Sequence, residues 1–145
     1  MKIFSVNKRA GFDYEILETF EAGMELKGFE VKSIASGRVN TTGSYAIIRG
    51  GEAWIVNLDI PPYQPQNTPE GYDPKRTRKL LLQKKEIEHL IGRTKEKGLT
   101  IVPMKMYNKN SKIKIELGLG RSKKKYDKRE VIKKRETERE IRRGL

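Results

Sequence analysis

Residues 112–119, KIKIELGL, place Ile113, Ile115, Leu117 and Leu119 on every second position, with Lys112, Lys114 and Glu116 between them. A side-chain period of two marks a strand with one buried and one solvated face. Residues 99–107 form a second apolar segment, and Asn108-Lys109-Asn110-Ser111 joins the two as a hairpin. Such a hairpin cannot bury its apolar face alone, so the rest of the chain must cover it.

Other segments supply candidate cover. Phe12, Tyr14, Ile16 and Phe20 repeat the strand period over residues 12–20, and Gly23 and Gly28 bracket Met24 and Leu26. In FEVKSIASGR, Val31, Ile34 and Ala35 fall at helical spacing and Gly37 follows, which predicts a short helix with a glycine stop. Residues 45–48 and 53–58 flank Arg49-Gly50-Gly51-Glu52, where paired glycines accept the positive φ of a tight hairpin turn. Residues 59–74 hold five of the six prolines and read as a connection without regular structure. Residues 78–98 read as a long helix, with Leu81, Leu82, Ile87, Leu90 and Ile91 as a broken apolar face. The sum is about six short strands, two or three helices and no strand–helix–strand alternation. This pattern predicts a mainly β fold, an antiparallel barrel or sandwich, with a sheet covered by helices on one side as the alternative. Among small barrels the OB type is the one whose outer face commonly binds oligonucleotides.

Charge divides the chain in two. Residues 121–145 carry twelve Lys/Arg against five Asp/Glu, more than half of the net +13, with only four aliphatic side chains. So little apolar surface cannot offset the entropy of ordering that segment on the protein's own surface. The expected organisation is a barrel domain over residues 1–120 and a basic tail over 121–145, disordered when free and helical on a polyanion. Residues 1–120 are basic as well, so a phosphate-rich partner is expected, nucleic acid ahead of an anionic membrane surface. No apolar run is long enough to span a bilayer and the N-terminus shows no secretory signal, so a cytoplasmic location is expected. The absence of cysteine excludes disulfides and thiolate metal sites.

The basic groups fall into four sets: Asn7-Lys8-Arg9, Lys32 with Arg38, Lys75-Arg76-Arg78-Lys79 at the start of the expected long helix, and the tail. Tyrosines at 14, 45, 63, 72, 107 and 126 are interspersed with them. Cations with reach contact phosphates, and exposed rings beside them suit unstacked RNA bases. Tyr14 and Tyr45 also fit core positions in strands. Catalysis has little support, since nucleophile–histidine pairs, phosphate loops and metal-ligand spacings are missing. The single histidine, His89, lies in a helical pattern and reads as a surface residue. No cofactor or metal is expected, and a histidine-free ribonuclease is the enzymatic alternative.

Several strings converge on one family. NKRA, ETFEAGMELKGFEVKSI, GSYAIIR, DPKRTRKLLL, GLTIVPMKMY and KKKYDKREVIKKR resemble small protein B, the SsrA-binding proteins of bacterial trans-translation, over about residues 7–143. The resemblance implies an OB-type antiparallel β-barrel with flanking helices, and a non-enzymatic, monomeric protein. The implied partners are the tRNA-like domain of tmRNA, elongation factor Tu through alanyl-tmRNA, and the stalled 70S ribosome at its decoding centre and mRNA channel. Residue by residue, the implied RNA-binding face is Asn7, Lys8, Arg9, Tyr14, Glu21, Lys32, Ser33, Arg38, Asn40, Tyr45, Arg76, Arg78, Lys79 and Leu81. Glu21 is read either as an acceptor for a base amino group or as half of an ion pair, and Leu81 either as core or as an RNA contact. The implied ribosome-binding tail comprises Lys123, Lys124, Lys125, Tyr126, Asp127, Lys128, Arg129, Lys133, Lys134, Arg135 and Ile141, with Tyr126 placed to stack on a ribosomal base. Gly11-Phe12 and Gly120-Arg121-Ser122-Lys123 depart from the family's usual strings, and Gly144-Leu145 stand where members commonly continue. The alternative reading is a ribosomal or other structural RNA-binding protein.

Overall fold

A computed structural model describes residues 2–123. Its elements run β1 (Lys2–Val6), α1 (Lys8–Asp13), β2 (Tyr14–Met24), α2 (Gly28–Ala35), β3 (Tyr45–Arg49), β4 (Glu52–Val56), β5 (Arg78–Leu81), α3 (Lys84–Arg93), β6 (Leu99–Lys109) and β7 (Lys112–Ser122). One turn of 3-10 helix, Pro65–Asn67, interrupts the proline-rich connection. The strands form one antiparallel sheet in the order β1-β6-β3-β4-β5-β2-β7, and β7 also pairs with β6. That last pairing closes six strands into a ring, one more than the five of an OB-type barrel, and leaves β1 outside it on the second half of β6.

The alternation over residues 112–119 decides the core. Ile115, Leu117 and Leu119 are fully buried, together with Ile55, Leu80, Ile101 and Met106 from neighbouring strands. Helices α2 and α3 each send one fully buried side chain, Ile34 and Leu90, into the same core. Gly50 and Gly51 take φ of 62° and 73° in the β3–β4 turn, as their pairing predicts. Helix α2 ends in a Schellman arrangement: Gly37 at φ 84° donates to Ile34 O, and the Arg38 N–H donates to Ser33 O at 2.9 Å.

Three expectations need correction. The helix expected over 78–98 is only Lys84–Arg93, and Arg78–Leu81 is a strand instead. There Arg78 and Leu80 are buried while Leu81 faces outward, a period of two that a run of leucines conceals. Gln83 marks the true helix start, its N–H donating to Glu86 Oε1 at 3.1 Å. Phe12 lies in helix α1 rather than in a strand, and β2 begins at Tyr14. Strand β7 runs through Ser122, past residue 120 where the expected barrel ended. The short β1 has no alternation to reveal it.

Two bulges interrupt the long strands β2 and β6. Register shifts between Ile16 and Glu18 in β2 and between Pro103 and Lys105 in β6. A proline cannot donate to a ladder, and a bulge is where a strand accommodates one. The bulge leaves the Pro103 and Met104 carbonyls to accept from Asn7, through Nδ2 and the backbone N–H respectively, each at 2.8 Å. The segment carrying Lys8 and Arg9 is thereby docked on the barrel.

Candidate nucleic-acid interface

Asn7 is fully engaged in this docking. Besides donating to β6, its Oδ1 accepts from the Ala10 N–H at 3.3 Å and caps α1. Lys8 and Arg9 follow as exposed cations. The Arg9 guanidinium lies 5.0 Å over the Phe12 ring and its Nε donates to Asp13 at 3.2 Å, which fixes its orientation without burying it.

Tyr14 opens β2 and rests on the backbone of β7. A Cβ added at Gly120 would sit 2.8 Å from Tyr14 Cβ and 3.2 Å from its Cγ. Gly120 therefore admits the tyrosine where any side chain would displace it. Tyr45 opens β3 and is 37% exposed. Arg9, Tyr14, Tyr45 and Thr100 wall a cleft of about 150 Å³. An adjoining cleft sets Asn40 beside Asn7, Lys8 and Arg9. Six residues expected at an RNA face, from two regions of the sequence, 7–14 and 40–45, thus meet on one side of the barrel.

The remaining expected contacts divide. Lys32 and Arg38 are exposed near α2, but Ser33 is fully buried, its Oγ lying 2.7 Å from Pro61 O and 3.0 Å from Arg38 O. Arg78 is also fully buried. Its Nε donates to Glu30 at 2.7 Å, Nη1 to Leu58 O at 2.7 Å, and Nη2 to the Tyr72 hydroxyl and to Pro74 O, both at 2.9 Å. Ser33 and Arg78 are therefore corrected from contacts to internal braces, because no atom of either reaches solvent. Arg76 stands between the two classes: it pairs with Glu30 and keeps 28% of its side chain exposed. Burial alone would raise the Glu30 carboxyl. Hydrogen bonds from Arg76, the Lys27 N–H and Arg78 outweigh that and hold it at about 2. Burial, opposed by the nearby Arg78 charge and helped by Glu30, pushes the Tyr72 hydroxyl up to about 12.

Leu80, not Leu81, is the core residue of β5; Leu81 is 49% exposed beside Gly23, Met24 and Val31. Lys79 pairs with Glu52 at 3.1 Å, and that hydrogen bond raises its ammonium above the usual range. Glu21 accepts from the Tyr107 hydroxyl at 2.6 Å and from Lys109 at 3.2 Å, so its ion pair is present in the protein itself. These two hydrogen bonds lower the Glu21 carboxyl, while burial and Glu21 raise the Tyr107 hydroxyl.

Of the expected tail contacts, only Lys123 lies among the described residues. It is tied to the barrel, its N–H donating to Asp13 O at 2.9 Å and its Nζ to Gly11 O at 3.1 Å. Lys124 through Ile141, Tyr126 included, lie outside the described residues. Sequence reasoning missed Glu30 and Tyr72 as the anchor of the proline-rich connection, and it missed Gly120 as the seat of Tyr14. The Glu30 and Arg78 partners lie 48 positions apart, with no local pattern joining them. Among the described residues no group of His, Cys, Asp and Glu is placed to hold a metal, and no helix is long and apolar enough to cross a membrane.

Known proteins resemble this chain over nearly its whole length. An SsrA-binding protein of Gloeothece citriformis is 53% identical over 144 residues, covering 99% of this chain and 93% of that one. One from Thermosynechococcus vestitus is 50% identical over 145 residues, covering 100% and 95%. A solved structure described as "tmRNA-SmpB: a journey to the center of the bacterial ribosome" is 48% identical with a TM-score of 0.71, covering 86% of this chain and 87% of that one. The profile of the family described as SmpB protein matches residues 4–145, and the chain belongs to that family.

Proposed function

We propose that this chain binds the tRNA-like domain of tmRNA and brings it, with elongation factor Tu, to bacterial ribosomes stalled on mRNA without a stop codon. The observation that carries this reading is the convergence of Lys8, Arg9, Tyr14, Asn40 and Tyr45 on one side of a closed barrel. Cations there fix the register of a phosphate backbone, and the two tyrosines offer ring faces to unstacked bases. Membership of the SmpB family and the likeness to a tmRNA-SmpB structure support tmRNA as the RNA. Lys32 and Arg38 extend the face, while Glu21, Lys79 and Leu81 are auxiliary contacts beyond it. The protein works by binding and positioning, and carries out no reaction on the RNA. The basic segment from Lys124 onward enters the empty mRNA channel and reports that mRNA is absent.

The test is a gel shift of a transcript of the tRNA-like domain at about 150 mM salt, with ordinary tRNA as competitor. The expected result is a shifted, intact transcript that tRNA displaces poorly. Equal competition by tRNA overturns the tmRNA assignment, and cleavage of the transcript overturns the binding-only role.

A further inference from the structure

The connection between β4 and β5 is braced at its base and presents its tip. At the base the Ile60 N–H donates to Pro74 O, Tyr72 Oη donates to Ile60 O, and Arg78 holds Leu58 O and Pro74 O. The Phe29 and Tyr72 rings meet edge to face at 4.8 Å, fastening the same base to α2. The tip is braced internally: Asn67 donates to Gln64 through its N–H and its Nδ2, and Thr68 Oγ1 donates to Gln64 O at 2.8 Å. A loop of this length, held in one shape with its polar side chains outward, is built to touch something.

Against that tip stands Arg38. Its Nη1 donates to Tyr63 O at 3.3 Å, which aims the guanidinium along the loop. No carboxylate among the described residues pairs with it. Arg38, Tyr63, Gln64, Gln66 and Asn67 enclose an open cup of about 520 Å³. The cup combines one uncompensated planar cation, three side-chain amides and a tyrosine. A guanidinium binds a phosphate as a fork, and amides supply the paired donor and acceptor that a base edge requires. An acidic peptide would call for several cations, and the cup has one. From Arg38 the chain runs directly into Val39, Asn40, Thr41 and Thr42, which wall the cleft holding Lys8 and Arg9. One peptide bond, from Arg38 to Val39, thus links the wall of the cup to the wall of that cleft.

We propose that this cup is a further RNA-binding site, which takes one unpaired nucleotide with its phosphate on Arg38 and its base edge on Gln64, Gln66 and Asn67. The inference rests on the RNA-binding reading above. The nucleotide belongs to tmRNA or to ribosomal RNA, and the experiment has an arm for each.

Full-length protein is compared with Arg38→Gln and with the double variant Gln66→Ala/Asn67→Ala. Each is titrated against a transcript of the tRNA-like domain at several salt concentrations, and against 70S ribosomes stalled on a truncated mRNA. A photoreactive residue at position 66 reports which molecule is adjacent. In the arm that holds the nucleotide, Arg38→Gln lowers the salt slope by about one, as loss of one phosphate contact does. There the double variant weakens binding roughly tenfold at unchanged salt slope, and the cross-link forms to RNA. Wild-type affinity and slope for both variants in both arms overturn the cup, and remove Arg38 from the RNA face, while leaving tmRNA binding by the Lys8, Arg9, Tyr14, Asn40 and Tyr45 side standing; a cross-link to protein alone likewise overturns the cup. A wild-type chain that binds neither RNA overturns both.

Discussion

Replacing Glu30 by glutamine should destabilise the barrel more than any surface substitution, and in a pH-dependent way. Glutamine keeps the shape but removes the charge that faces Arg76 and Arg78. The Arg78 guanidinium, with no exposed surface, is then buried without a counter-charge. Removing one member of such a pair costs about 3–5 kcal/mol. The carboxyl itself gives an independent figure. Its pKa falls from 4.5 in the unfolded chain to about 2 in the barrel, equivalent to about 3 kcal/mol of stability. Because the folded value is the lower one, that stability is complete above the unfolded pKa and is lost as pH falls toward the folded one. Between pH 5 and pH 3 the loss comes to about 2 kcal/mol. Urea denaturation of wild type and Glu30→Gln, followed by fluorescence of the single tryptophan, Trp54, measures both effects. The gap between the two proteins should be about 3 kcal/mol at pH 7 and should narrow by about 2 kcal/mol from pH 5 to pH 3. Parallel stability curves over that range, or a gap below about 1 kcal/mol at pH 7, would refute the assignment of Glu30 as an ionised, paired carboxylate.

Four further outcomes follow from the interface and its supports. Gly120→Ala should force Tyr14 from its seat, costing about 1–3 kcal/mol in urea denaturation and weakening tmRNA binding; Gly118→Ala, whose nearest neighbour is the flexible Met104 side chain at 3.0 Å, should affect binding less. Replacing Lys8 and Arg9 together by alanine should reduce the salt slope of RNA binding by about two, read from anisotropy titrations, with the thermal midpoint unchanged. Truncation after Lys123 should preserve both the thermal midpoint and tmRNA affinity while abolishing peptide tagging on stalled ribosomes. Truncation after Gly120 should lower the midpoint as well, because Arg121 and Ser122 pair with Glu15 and Tyr14 and Lys123 bonds to Asp13.

How much of this the sequence disclosed depended on whether the determining interaction was local. The β6–β7 hairpin and the Gly50-Gly51 turn were legible because period and turn chemistry lie in adjacent residues. The short helix before Gly37 was legible for the same reason. Strand β5 was not, because in RKLLL a period of two and a helical stripe fit equally well until Arg78 finds Glu30. The same contact separates the basic residues by role. Arg76, Arg78 and Lys79 share one basic string, yet one is half-buried, one enclosed and one on the outer face. Charge identifies candidates for phosphate contact, and only the strand's in–out alternation says which of them meets solvent. Leu80 and Leu81 repeat the lesson for apolar residues, one in the core and its neighbour outside.

The ring of six strands is complete without β1, and this has a mechanical consequence. Strand β1 and helix α1 lie outside that ring, held by a short ladder on β6, by the two carbonyls released at the Pro103 bulge and by Lys123, which bonds to Gly11 O and Asp13 O. Breaking those contacts would release the pair as a clasp without opening any pairing that closes the ring. Lys8 and Arg9 ride on that clasp, whereas Tyr14 and Tyr45 belong to the ring. Amide exchange in β1 and α1 should accordingly run ahead of global unfolding and slow when RNA is bound. The energy that holds an RNA against the clasp then also holds the clasp against the barrel.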